Sequence, residues 1–252
     1  MPYQDDSSDL SAAFPALYAP SKGYLFVVTY GRTGSTLTQN LLNSIPGWCI
    51  RGENGNLLGN LLKTVHFMQT WDNYTRRRTW RETGSLQTKN PDGFGTPIDP
   101  WYGAEHVDPE PYARGLLETF TRHVLNLPPD VRVGGFKEIL YYNDPKFLPT
   151  QLSLMQQFFP GAKILFQTRD HAQVLKSAWW KTRDPVKVRT RLKLIDQIFN
   201  DYAQAHPNCF VLDYSCYAVG PDALRPLFHF LDEDFDSDRI KTVLNQRLEH
   251  MK

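Results

Sequence analysis

A glycine-rich turn is the feature of this sequence that most directly predicts chemistry. It reads Gly-Arg-Thr-Gly-Ser-Thr at 31–36 and follows an apolar run at 24–30. A loop that connects a strand to a helix presents unpaired backbone N–H groups and the positive end of the helix dipole, and both attract phosphate. The hydroxyl groups and the arginine of this loop add donors and a fixed charge. The pattern predicts an anion-binding loop made of Gly31, Arg32, Thr33, Gly34, Ser35 and Thr36.

The turn differs from the loop of nucleoside-triphosphate enzymes, which has the form G-x-x-x-x-G-K-[ST]. Thr29 stands where that loop has its first glycine, and Ser35 stands where it has lysine. A kinase or nucleotide hydrolase would need that lysine and Mg²⁺, so it is kept only as one alternative. A non-catalytic nucleotide-binding module is another, and a purely structural turn is the third.

Two further groups of residues follow apolar runs that are predicted to be strands. Arg169 follows the run at 162–168, and Ser177 lies eight residues later. Lys137 ends the strand-like run at 131–137. Since ligands of open α/β sheets collect at the carboxyl ends of strands, these side chains are expected near the loop. Alternatively, Arg169 caps a helix or pairs with Asp170, and Lys137 is a solvated strand end.

With these residues in place, the sequence resembles the PAPS-dependent sulfotransferases. The loop GRTGSTL is similar to their 5′-phosphosulfate loop, which is P-K-S-G-T-T-W in cytosolic members. Arg169 and Ser177 match the spacing of the family's 3′-phosphate ligands, and Lys137 resembles a second lysine near the sulfuryl group. The resemblance implies a P-loop-like fold and PAPS as co-substrate, with no metal. It also implies transfer to a hydroxyl or amine and release of 3′,5′-ADP.

The departures from the cytosolic pattern favour a bacterial or carbohydrate-type branch. Gly31, Arg32 and Leu37 replace the Pro, Lys and Trp of that loop, and nothing resembles the RKG-type segment near the C-terminus. The missing Trp means that another side chain must hold adenine. By family analogy, the acceptor is a carbohydrate, a glycolipid or a small hydroxylated metabolite.

An acceptor hydroxyl also needs a base. Glu53 is the first choice, because it follows the presumed second strand at 48–52 and its placement resembles the Glu base of bacterial and heparan-type members. Its alternative role is that of a carboxylate in the first turn of a helix. His66 fits helix packing better than catalysis. Glu105 and His106 are weaker candidates for the base.

The elements that must position these residues alternate between strand-like and helix-like runs. This alternation predicts a three-layer α/β/α fold with a mostly parallel sheet of about five strands. We expect one sulfotransferase domain over 1–252, with a polar lead-in at 1–22. Residues 70–110 are predicted to be an irregular insertion that shapes the acceptor site. The run after Asp170 is predicted to be a helix that carries Ser177 two turns from its start.

The composition sets limits on partners and compartment. With 28 basic and 27 acidic residues, the chain has a formal net charge of +1, which argues against nucleic acid as a partner. No signal-like or membrane-spanning segment is evident, so a cytoplasmic location is expected. The three cysteines lack metal-ligand spacing, and Cys49 and Cys209 are predicted to be buried free thiols in strands.

Overall fold

The computed structural model describes residues 7–85 and 93–246, and its centre is a five-stranded sheet in which every strand pair is parallel. The order across the sheet is β2-β3-β1-β4-β5. The strands are β1 (Tyr24–Thr29), β2 (Trp48–Arg51), β3 (Val133–Glu138), β4 (Lys163–Thr168) and β5 (Cys209–Asp213). The predicted fold class is confirmed.

Helices cover both faces of this sheet. In the described residues they are α1 (Ser7–Ala13), α2 (Ser35–Asn43), α3 (Leu57–Thr70), α4 (Asp72–Thr83), α5 (Pro109–Phe120), α6 (Leu148–Phe158), α7 (His171–Leu175), α8 (Pro185–Ala205), α9 (Cys216–Val219), α10 (Arg225–Leu231) and α11 (Ser237–Asn245). One apolar core holds α3, α5, α6 and α8, and the other holds α2, α10 and α11. None of these helices is long and apolar enough to span a bilayer.

Strand β1 shows why the sheet has two cores. Successive side chains of a strand point to opposite faces. Phe26 and Val28 accordingly pack in the core with α3, whereas Leu25 and Val27 pack in the core with α2. All six residues of β1 are buried. An apolar strand with no polar alternation therefore lies at the centre of the sheet, where both faces are covered.

Gly135 allows β3 to approach β1 closely. A Cβ at this position would lie 1.8 Å from the carbonyl oxygen of Leu25, so only glycine fits. The resulting register places Lys137 opposite Val27, two residues before the end of β1. The carboxyl end of β3 thereby lies beside the loop that follows β1.

The prediction of an irregular segment at 70–110 is wrong for its first part, because Asp72–Thr83 forms helix α4. Arg77 of this helix is buried, and its guanidinium donates to both carboxylate oxygens of Asp99 at 2.6 and 2.9 Å. These hydrogen bonds hold the pKa of Asp99 well below its ordinary value. The ion pair fastens the stretch around Asp99 to α4. Residues 86–92 lie outside the described residues.

The three cysteines are free, and Cys49 and Cys209 lie in β2 and β5 as predicted. Both side chains are half-buried rather than buried, because β2 and β5 are the two edge strands of the sheet. Burial nonetheless raises the pKa of the Cys209 thiol to about 11.

Candidate functional site

The loop between β1 and α2 has the backbone of an anion-binding nest. Arg32 and Gly34 both adopt left-handed conformations, with φ of 74° and 85°. For a non-glycine residue such as Arg32 this conformation costs about 1–2 kcal/mol, and such strain is concentrated at functional sites. In the described structure no side chain caps the start of α2, so its first N–H groups remain available. The loop therefore presents N–H groups and a helix dipole to a bound anion.

A buried polar network holds this loop from below. The hydroxyl of Thr33 lies 2.8 Å from that of Thr29, and Gln167 Nε2 donates to the Thr33 carbonyl at 2.9 Å. Thr38 of α2 donates to Gln167 Oε1 at 2.6 Å and contacts the Tyr217 hydroxyl at 2.7 Å. The side chain of Thr33 thus faces inward, and Thr33 is fully buried, so this predicted loop residue supports the loop from within.

The two predicted phosphate motifs meet at Arg32. Its Nε donates to Ser177 Oγ at 2.7 Å, although 145 residues separate them. Arg169 Nη1 donates to the Arg32 carbonyl at 3.1 Å, and the rest of the Arg169 guanidinium binds Gln173 Oε1. The same guanidinium lies 4.1 Å from the centre of the Tyr214 ring. Arg32, Arg169 and Ser177 therefore form one connected cluster.

Ser177 does not lie on a helix, which corrects the prediction for this segment. Asp170 caps α7 as expected, but α7 ends at Leu175, and Ser177 has an extended backbone with φ of −114° and ψ of 136°. The break turns the chain toward the loop. Trp180 Nε1 then donates to the Gly31 carbonyl at 3.0 Å, and a Cβ at Gly31 would lie 2.4 Å from the indole of Trp179.

Lys137 and Glu53, two residues predicted for catalysis, form an ion pair. Lys137 Nζ donates to Glu53 Oε1 at 2.5 Å. The lysine is buried, with 6% of its side chain exposed, whereas 43% of the glutamate side chain is exposed. The pair thus joins the end of β3 to the β2–α3 loop, with the carboxylate on the solvent side.

Glu138, next to Lys137, is a buried carboxylate that sequence reasoning missed. It is fully buried, and its two oxygens accept four backbone N–H groups at 2.7–3.0 Å. Two donors lie in the β2–α3 loop and two follow β3, namely Asn54, Asn56, Ile139 and Leu140. Glu138 therefore fixes the loop that carries Glu53 against the strand that carries Lys137.

One cavity collects most of these groups. It is lined by Gly31, Arg32, Gly34, Ser35, Thr36, Leu37, Glu53, Ile139, Arg169, Trp179 and Tyr214. Three of these, Ile139, Trp179 and Tyr214, were not predicted from the sequence. Two signals could have identified the aromatic residues: Tyr214 directly follows a strand, and Trp179 lies two residues after Ser177. Among the described residues of 70–110, none lines this cavity.

The other candidate bases lie outside the cavity. The His66 ring packs against Phe147, with ring centroids 5.7 Å apart, in agreement with a packing role. Glu105 is buried and accepts the Gly103 N–H, and His106 Nε2 lies 3.7 Å from the Glu105 carboxylate. Glu53 is therefore the one of these four candidate bases that the cavity contains.

A cluster of ionisable side chains supports Arg169 from the side of α8. His171 Nε2 lies 2.7 Å from an Asp196 oxygen, and the Tyr30 hydroxyl lies 3.4 Å from the backbone N of Arg169. Burial raises the pKa of Asp196 and the pKa of Tyr30 above their ordinary values. These groups hold the backbone at Arg169, where β4 ends.

Comparison with known proteins identifies the family to which this geometry belongs. The model of the sulfotransferase family matches residues 25–222. No curated protein matches the chain.

The solved structures that are similar to the chain include three sulfotransferases, all at low identity. One is a sulfotransferase domain from the curacin biosynthetic pathway, at 12% identity over 90% of this chain and 79% of that one, with a TM-score of 0.47. Another is sulfotransferase STF9 from Mycobacterium avium, at 15% identity over 96% and 72%, with a TM-score of 0.43. The third is sulfotransferase STF1 from Mycobacterium tuberculosis H37Rv, at 14% identity over 95% and 75%, with a TM-score of 0.45.

Proposed function

The chain belongs to the sulfotransferase family, and on this premise we propose that it transfers a sulfuryl group from PAPS to a hydroxyl or amine of an acceptor. The second product is 3′,5′-ADP. The observation that carries the proposal is the hydrogen bond between Arg32 and Ser177. It joins the loop suited to a 5′-phosphosulfate with the motif suited to a 3′-phosphate. We further propose that residues 1–252 form one sulfotransferase domain.

In this proposal the 5′-phosphosulfate and the 3′-phosphate of the donor bind to different groups of the protein. The N–H groups of the loop, with the Ser35 and Thr36 hydroxyls, bind the 5′-phosphosulfate, since all of them lie at the start of α2. Arg169 and Ser177 bind the 3′-phosphate, for which the planar guanidinium of arginine is well suited. Arg32 contacts both groups and keeps its charge throughout the reaction.

The adenine base requires a flat surface, and we propose that Tyr214 and Trp179 provide it. Both rings line the cavity, and Tyr214 already stacks against the guanidinium of Arg169. Aromatic rings of this kind stabilise a stacked base by dispersion and by offset ring contacts. They would take the place of the tryptophan that Leu37 replaces in the loop.

For the transfer itself, the acceptor oxygen or nitrogen forms a bond to sulfur while the bond from sulfur to the bridging phosphate oxygen breaks. Glu53 takes the proton that the acceptor loses. Lys137 and Arg32 neutralise the charge that develops on the departing 5′-phosphate, and Lys137 also has a proton to donate. Lys137 donates a hydrogen bond to Glu53 in this structure. During transfer its ammonium must instead donate to the departing phosphate, as negative charge accumulates there.

The class of acceptor follows family analogy and remains broad: a carbohydrate, a glycolipid or a small hydroxylated metabolite. Segment 70–110, with its exposed Trp101 and Tyr102, is proposed to contribute to acceptor binding. Such rings suit stacking on a sugar or another ring.

The test is incubation of the purified protein with labelled PAPS and a panel of acceptors, followed by mass spectrometry of the products. We expect one acceptor to gain a sulfuryl group and 3′,5′-ADP to appear in equal amount, with an Arg32→Ala variant as the inactive control. Preference for ATP and Mg²⁺ over 3′,5′-ADP would instead favour a kinase or hydrolase. Binding of 3′,5′-ADP without product from any acceptor would favour a non-catalytic module.

A further inference from the structure

The positive charge of the chain is concentrated in one segment, residues 176–193, which we call the basic segment. It contains seven basic residues and one acidic residue, whereas the rest of the chain contains 21 basic and 26 acidic residues. The basic residues are Lys176, Lys181, Arg183, Lys187, Arg189, Arg191 and Lys193. The near-neutral net charge of the whole protein thus conceals a local cationic surface.

The cations of the basic segment are exposed, and none of them takes part in an ion pair with a described residue. Lys187 and Arg191 are four residues apart on α8, as are Arg189 and Lys193, so like charges are neighbours on the helix surface. They also lie in the N-terminal half of α8, where the helix dipole disfavours cations. This arrangement is electrostatically unfavourable for the chain alone, and a bound anion would relieve it.

Three of these cations line a groove rather than a convex surface. Arg183, Lys187 and Arg191 line it together with Tyr142 and Trp180. The Asp184 carboxylate also lines it, but it accepts backbone N–H groups at the start of α8. The volume of the groove is about 360 Å³, which lies within the range of roughly 300–1,000 Å³ that ligand sites occupy. Aromatic rings and cations in one concave surface suit a ligand that has both a ring face and anionic groups.

The groove adjoins the donor site through a single side chain. Trp180, which lines the groove, donates to the carbonyl of Gly31 in the anion-binding loop. Its neighbour Trp179 lines the donor cavity, and the two indole centroids lie 6.2 Å apart. A molecule held in the groove would therefore be next to the donor cavity.

We propose that this groove binds the acceptor and that the acceptor is a molecule with at least two anionic groups, such as carboxylates, sulfates or phosphates. The inference rests on the proposed sulfotransferase function. The three groove cations bind the anionic groups, and the indole of Trp180 separates them from the donor loop. The hydroxyl or amine to be sulfated belongs to a part of the molecule that extends past Trp180.

The test uses two anionic probes, hexagalacturonate and tripolyphosphate, with the methyl ester of hexagalacturonate as the uncharged counterpart. Binding is measured by isothermal titration in the presence of 3′,5′-ADP. We expect both anions to bind the unmodified protein and the ester to bind at least tenfold more weakly. The double variant K187E and R191E should lose at least tenfold in affinity for both anions.

The matched control is the double variant R189E and K193E, which makes the same charge change at the same spacing on the same helix. These residues do not line the groove, so we expect a loss of less than threefold. A second control, K187R and R191K, keeps the charge and should bind both probes nearly as well as the unmodified protein.

Four results would overturn the proposal. The first is that neither anion binds the unmodified protein, and the second is equal loss of affinity in the groove variant and the control variant. The third is an equal loss of 3′,5′-ADP affinity in the groove variant, which would assign these cations to the donor site. The fourth is that a single-stranded RNA binds more tightly than either probe and that the groove variant, K187E and R191E, no longer binds this RNA. If the unmodified protein binds the probes but neither 3′,5′-ADP nor PAPS, the proposed sulfotransferase function fails instead.

Discussion

The ammonium of Lys137 lies 2.5 Å from a carboxylate oxygen of Glu53, so the groups proposed as acid and base are already in contact. The contact joins two residues that are 84 positions apart in the sequence. It is possible because β2 pairs with β3, which brings the loop after β2 to the end of β3. Catalysis would begin from this pair.

Replacement of the proposed base, Glu53→Gln, should lower kcat by about 10²–10⁴-fold, the usual contribution of a general base. The affinity for 3′,5′-ADP should change less than about threefold, because the amide oxygen can still accept from Lys137. Steady-state kinetics and isothermal titration measure the two quantities. Glu53→Asp, which keeps a carboxylate, should retain more activity than the amide. Wild-type turnover in the Gln variant would show that another group is the base.

Removal of the proposed 3′-phosphate ligand, Arg169→Ala, should weaken binding of 3′,5′-ADP by about 10–100-fold, since hydrogen bonds to charged groups contribute about 1.5–3 kcal/mol. Binding of 5′-AMP, which lacks the 3′-phosphate, should weaken much less. Titration of both nucleotides gives the ratio. The control Gln173→Ala removes the neighbour that orients the guanidinium and should have a smaller effect. Equal losses for the two nucleotides would refute the 3′-phosphate role.

Glu138 is expected to act as a positioning residue. In Glu138→Gln the amide group would face backbone N–H donors, and each donor left without an acceptor costs about 1–3 kcal/mol. Both the free energy of unfolding and kcat at saturating donor should fall, while the donor KM changes little.

The control for Glu138 is Glu118→Gln, which alters a carboxylate that also accepts a backbone N–H, from Leu17. This site lies on α5, away from the cavity, so the variant should lose stability but keep its kcat. If both variants lower kcat alike at equal folded fraction, Glu138 has no specific role in placing Glu53.

The Arg77–Asp99 pair should make stability depend on pH. The pKa of Asp99 is lowered on folding, so its charge stabilises the folded state at pH values above its ordinary pKa of 3.8. This contribution is lost as the pH falls toward the lowered pKa. Asp99→Asn should therefore be destabilising at about pH 7, and its difference in stability from wild type should shrink as the pH falls. Urea unfolding over a pH series measures it.

The comparison variant for Asp99 is Asp144→Asn. Asp144 pairs with Lys63 at 2.6 Å, but both side chains are more than 40% exposed. An exposed ion pair contributes little, so this variant should change stability only slightly at any pH. Equal effects of the two substitutions would contradict the importance of burial for the Arg77–Asp99 pair.

The sequence was most informative where one local signal was enough. The apolar run before Gly31 and the run before Arg169 are buried strands inside the sheet, as predicted. The two motifs proposed to bind phosphate could be recognised in the sequence, because each consists of residues that are close along the chain, and their role as phosphate ligands stays a prediction. The family resemblance based on them is confirmed by the family match.

Contacts between distant segments were not predictable in the same way. Neither the bond from Arg32 to Ser177 nor the burial of Glu138 leaves a sequence pattern, because both depend on the order of strands in the sheet. The break before Ser177 was missed because the run from Asp170 has helical composition, although the contact of Trp180 with Gly31 requires the chain to turn. Helix α4 was not predicted because the segment that contains it is rich in aromatic and glycine residues.

The network beneath the anion-binding loop has a consequence for the kinetics of donor binding. Hydrogen bonds within the protein, from the hydroxyls of Thr29, Thr33 and Thr38 and the amide of Gln167, hold the loop in its strained shape. The entropy of ordering the loop is therefore lost when the protein folds and not when the nucleotide arrives. Association should follow a single step whose rate depends on diffusion and ionic strength, and differences in affinity among nucleotides should appear in their dissociation rates.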